Sequence, residues 1–93
     1  MRLSEQQVSI IKEEIYKKDE SAEIYLFGSR ADDLALGGDI DLLVISEKID
    51  FHQKIRIQAQ LFIKLDEQQV DMLAAKDKTK AFVKLAIIDG IQL

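Results

Sequence analysis

The chain has 93 residues, 47% of them hydrophobic and 32% charged, with no cysteine and a formal net charge of −4. This composition describes one domain spanning 1–93 with a modest core; it is too apolar for disorder, excludes disulfides and thiolate metal sites, and holds no apolar run of membrane-spanning length. The acidic balance argues against direct nucleic-acid binding, and the lack of a signal-peptide pattern makes the cytoplasm the expected location.

A first helix is expected over Ser4 to Lys18. Ser4 and Gln7 form a capping-box pattern, and Leu3 with Val8 forms a hydrophobic staple. Val8, Ile11 and Ile15 recur at helical spacing toward the core, while Glu13, Glu14, Lys17 and Lys18 read as a solvated face with Glu14 and Lys18 paired four apart. After a turn at residues 18–21, Ala22 to Phe27 reads as a strand. Gly28 ends it, and Ser29 caps a short helix through Ala35 that carries Arg30, Asp32 and Asp33. The pair Gly37-Gly38 breaks that helix.

Asp39 to Ser46 is the next strand. Beyond Asp41 it is apolar on both faces, as a central strand is. Asp50 caps a helix over Phe51 to Leu65, with Ile55, Ala59 and Phe62 expected inward and Lys54, Arg56 and Lys64 outward. Asp66-Glu67 is a turn, and Gln68 to Ala74 a third strand. A last helix, Thr79 to Asp89, is expected to bury Phe82, Leu85, Ala86 and Ile87 or Ile88. Gly90 is expected to stop it in a left-handed conformation, leaving residues 91–93 as a short extended tail. The tyrosines and phenylalanines read as core, and His52, the single histidine, as a surface residue. The order αβαβαβα is that of an α/β domain.

The chemistry concentrates between Leu26 and Val44. On a strand, Asp39 and Asp41 point the same way and Ile40 the other. Two carboxylates held together at the entrance of a buried strand repel unless a cation lies between them, and Mg²⁺ takes carboxylate oxygens together with substrate phosphates. The Gly28 turn frees backbone N–H groups to meet the same phosphates. A solvated loop end that caps a strand is the alternative reading of the two aspartates. Asp71, between Val70 and Met72, is either a charged residue at an exposed sheet edge or a third carboxylate facing the first two. Gly28 and Ser29 also serve as a plain turn and helix cap, and Arg30 as either a surface residue or a phosphate clamp.

Gly28-Ser29-Arg30, with nine residues from Arg30 to Gly38 ahead of Asp39-Ile40-Asp41 and the apolar Leu42-Leu43-Val44, resembles the signature of the nucleotidyltransferase superfamily that includes DNA polymerase β. Within it the chain is most similar to the minimal nucleotidyltransferase (MNT) group. Gly38 departs from relatives that carry Ser there. The resemblance implies a mixed sheet covered by helices, and Asp39, Asp41 and Asp71 as ligands of two Mg²⁺ or Mn²⁺ ions. It implies Gly28, Ser29 and Arg30 as nucleotide-binding residues and ATP as the nucleotide. It further implies transfer of AMP to a hydroxyl, with the acceptor a tyrosine of a helical HEPN-type toxin for which the chain acts as antitoxin. A silent antitoxin that neutralises such a partner by contact is the rival expectation, and homo- or hetero-oligomers fit either one.

Overall fold

The computed structural model describes residues 3–28 and 38–93. Its elements run α1 (Glu5–Tyr16), β1 (Glu23–Phe27), β2 (Ile40–Ile45), α2 (Phe51–Lys64), β3 (Val70–Ala75), α3 (Ala81–Asp89) and β4 (Ile91–Gln92). The expected helix from Ser29 to Ala35 lies outside the described residues. Among those residues, no helix is long and apolar enough to cross a membrane.

Local chemistry sets the helix starts. Ser4 accepts a hydrogen bond from Gln7 N–H while Gln7 reaches back to Ser4 N–H, and Asp50 and Gln53 repeat the arrangement at the head of α2. Each reciprocal cap satisfies two donors that a helix leaves unpaired. Asp66 and Glu67, both at positive φ, turn the chain from α2 into β3.

The four strands lie in the order β3-β2-β1-β4. β2 pairs parallel with β3, and β1 pairs antiparallel with both β2 and β4, so the sheet is mixed. β2 is central, as its unbroken apolar run requires. Strand alternation sends Ile24, Leu26, Ile40, Leu42, Val44, Val70 and Met72 to one face, against Ile11 and Ile15 of α1 and Ile57 and Leu61 of α2. Tyr25, Leu43 and Ile45 face the other way, against Val83 of α3.

Several expectations fail in detail. α2 turns Ile57 and Leu61 inward, leaving Ile55, Ala59 and Phe62 outside. Both triplets have helical spacing, and only the sheet decides between them. In α3, Val83 is fully buried with Ala86 and Ile87 packed beside it, while Phe82, Leu85 and Ile88 are exposed. Phe51, Phe62 and Phe82 are therefore not core residues. Gly90 is extended, with φ −87°, rather than left-handed. A Cβ there would come within 2.6 Å of Ala86 O and 3.1 Å of Leu26 O, so glycine serves the close approach of α3 to β1.

Glu14 is not solvated. It is buried between α1 and α2 and pairs with Lys17 at 3.1 Å and with Lys64, in place of Lys18. Asp19 is also buried. It accepts hydrogen bonds from Ser46 Oγ at 2.6 Å and Ser21 N–H at 2.9 Å, and Ser46 Oγ accepts from the N–H groups of Lys48 and Ile49. This ties the turn before β1 to the loop after β2, and these bonds hold the Asp19 carboxyl below its ordinary range, Ser46 contributing most.

Candidate functional site

Asp41 is the second residue of β2 and the first of its α3-facing side chains. Its register partners are Phe27 on β1 and Asp71 on β3, so one carboxylate lies beside it across the parallel ladder and an aromatic ring across the antiparallel one. Adjacent strands in a sheet run about 4.8 Å apart, which brings Asp41 and Asp71 into electrostatic reach on the same face. Asp39 comes two residues earlier, exposed at the mouth of the strand.

Burial pushes the Asp41 carboxyl above its ordinary range, and the charges of Asp71 and then Asp39 push it further the same way. Asp71 is exposed, on the outward face of an edge strand whose Val70 and Met72 are buried. Both readings of it hold in part: it is an edge residue, and it faces Asp41. Val70 and Met72 on either side suggest a buried strand, but the alternation turns Asp71 outward, so its carboxylate is not buried. Gln69 Nε2 approaches it at 3.5 Å.

Gly28 follows β1 at φ +72°. A Cβ at this position would collide with Oδ2 of Asp41 and lie 3.3 Å from its Cγ. Two demands therefore meet on one residue: a left-handed turn and room for a carboxylate. Ser29 and Arg30 lie outside the described residues.

Beyond Gly28 a groove of about 720 Å³ opens between the sheet and α3, lined by Phe27, Gly28, Leu73, Phe82, Leu85 and Asp89 among others. Its size is that of a small-ligand site. Leu73, Phe82 and Leu85 are 41%, 43% and 66% exposed, so the groove has apolar walls open to solvent. Sequence reasoning placed Phe82 and Leu85 in the core. The contrary signal was present in residues 82–88, where Phe, Val, Leu, Ala, Ile and Ile are too many apolar side chains for one face of a nine-residue helix.

Asp39, Asp41, Asp71 and Gly28 are thus brought to one end of one sheet face. No group of three His, Cys, Asp or Glu side chains that could hold a metal ion occurs among the described residues. The donor set nevertheless fits a hard divalent cation. It is all carboxylate oxygen, it includes a partly buried Asp41 whose charge its neighbours disfavour, and it adjoins a glycine whose missing Cβ keeps space around Oδ2. A cation there would offset the burial and the like charges that together raise the Asp41 carboxyl.

The family model described as a nucleotidyltransferase domain matches residues 8–92. No curated protein matches the chain.

Proposed function

The chain belongs to the nucleotidyltransferase domain family, and we propose that it transfers AMP from Mg²⁺-ATP to a hydroxyl of a protein acceptor, a tyrosine on a helical HEPN-type partner, acting as that partner's antitoxin. The observation that carries this reading is the pairing of Asp41 with Asp71 across the β2–β3 ladder beside Gly28. Asp39, Asp41 and Asp71 would hold the Mg²⁺ or Mn²⁺. When bound, such ions supply Lewis-acid stabilisation of the charge on the attacking and leaving oxygens.

The remaining chemistry belongs to the chain. Gly28 and Ser29 would hold the β- and γ-phosphates through backbone N–H groups, with Arg30 adding a fork of charged donors. The acceptor oxygen attacks the α-phosphorus, the bond to the bridging oxygen breaks, and pyrophosphate leaves. Asp71, which is exposed, would take the hydroxyl proton from an acceptor arriving from solvent. The open apolar walls at Leu73, Phe82 and Leu85 suit an acceptor that brings its own surface.

The test is co-expression with the partner and mass spectrometry for AMP on its tyrosine. A second reading is supported by the exposed Leu85 and Ile88, apolar side chains that a protein partner would cover. Under it the chain silences the partner by contact alone, and a bound, silenced but unmodified partner would establish that reading.

A further inference from the structure

Helix α2 is apolar on two sides. Ile57 and Leu61 are 2% and 0% exposed against the sheet. On the outward side Phe51, Ile55, Ala59 and Phe62 recur at steps of four, four and three, which is one continuous stripe on a helix. Phe51, Ile55, Phe62 and the adjoining Ile63 are 67%, 47%, 39% and 67% exposed. A surface helix needs one such face, and a second is a surface for another molecule. A slot of about 340 Å³ lies beside Ala59, walled by Ile55, Gln58, Phe62, Gln69 and Val70.

We infer that this stripe is the contact between two copies of the chain, with α2 packed antiparallel against its counterpart about a two-fold axis through Ala59. Charge selects the second copy. The first turns of α2 carry Lys54 and Arg56, and its far end, where Lys64 is taken up by Glu14 of α1, runs into Asp66 and Glu67. Arg56, Asp66 and Glu67 make no ion pair among the described residues. A two-fold contact makes every pairing twice, so in an antiparallel pair the basic start of each helix meets the acidic end of the other. One chain therefore carries both halves of its own complement.

Shape agrees with charge. Ala59, the smallest side chain of the stripe, falls at the crossing point where backbones come closest, and the slot beside it receives the Phe62 ring of the opposite helix. The neighbouring sheet edge offers less. Gln58 Oε1 accepts the outward Met72 N–H at 3.1 Å, so α2 already covers part of the β3 edge that strand addition would need.

Light scattering on the full chain across micromolar to millimolar concentration tests the assignment. The mass should rise from 10.6 kDa toward twice that value. Ala59→Glu and Phe62→Asp should each weaken association at least tenfold, and at the micromolar end of the series, where the wild type is a single chain, Ala59→Glu should melt as the wild type does because Ala59 is exposed. Arg56→Glu should weaken it less, and adding Asp66→Arg should restore it by reversing both ends of the pair. A single-chain mass at every concentration, or a dimer that survives Ala59→Glu, would overturn the proposal and give the stripe to a different protein.

Discussion

Asp41 and Asp71 occupy the same rung of the parallel β2–β3 ladder, with nothing but the strand spacing between their backbones. Their repulsion is a cost the fold bears in the free protein, added to the burial that already raises the Asp41 carboxyl.

Asp41→Asn and Asp39→Asn should abolish transfer and leave the metal-free protein as stable as the wild type or more so. Burial and two like charges raise the Asp41 carboxyl, and the amide removes that repulsion. Thermal melts in EDTA check this, and a marked drop in melting temperature would assign the aspartate a structural role. Asp71→Asn should lower turnover more than ATP affinity.

Nucleotide binding should require divalent metal, since a triphosphate meets three carboxylates at this end of the sheet. Calorimetry with ATP in Mg²⁺, in Mn²⁺ and in EDTA decides it. Equal affinity in EDTA would remove the metal from the account.

Gly28→Ala should damage the site more than the fold. A left-handed backbone costs a non-glycine residue about 1–2 kcal/mol, and the added methyl would displace the Asp41 carboxylate. The expected pattern is a folded protein, somewhat lower in melting temperature, with little transfer activity.

Stability below about pH 4.5 should depend on Glu14. The bond from Lys64 holds its carboxyl below the ordinary value of 4.5, with burial acting against this and Lys17 adding to it. Because the folded-state value is depressed, the stabilisation is complete above that ordinary value and is lost as pH falls through the folded one. Glu14→Gln should lower stability at neutral pH and flatten the acid limb of a denaturation series. An unchanged acid limb would contradict this.

The two sides of α3 should respond oppositely to truncation. Val83→Ala empties a fully buried position and should cost about 2 kcal/mol. Leu85→Ala and Ile88→Ala, at 66% and 75% exposure, should each stay within about 0.5 kcal/mol. Chemical denaturation of the three variants separates them.

Where the chain's signals were local, they could be read without coordinates. The caps at Ser4 and Asp50, the central position of β2 and the Asp66-Glu67 turn all follow from neighbouring residues. Facing was harder. In α2, Ile55-Ala59-Phe62 and Ile57-Leu61-Leu65 are equally good stripes, and the choice depends on a sheet assembled from distant segments. Glu14 looked solvated because its partner Lys64 is fifty residues away. Asp71 was found through resemblance to a motif, while its apolar neighbours Val70 and Met72 gave no sign that it lies on the exposed face. Its place beside Asp41 is a matter of strand register, which sequence does not display.

Strand β1 obtains its second neighbour from residues far along the chain. Ile91 pairs with Leu26, Gln92 with Tyr25, and Leu93 N–H donates to Ile24 O at 2.9 Å. Closing so long a loop is an entropic cost met before any contact rewards it, and non-local pairings of this kind slow folding. During synthesis β1 and β2 leave the ribosome early, with one side of β1 bare until residue 93 has emerged. Until then a nearly all-apolar strand is a sheet edge open to any passing chain, a recognised route to aggregation. Addition of residues 91–93 closes that edge, so a nascent chain halted before Ile91 is the form most in need of a chaperone.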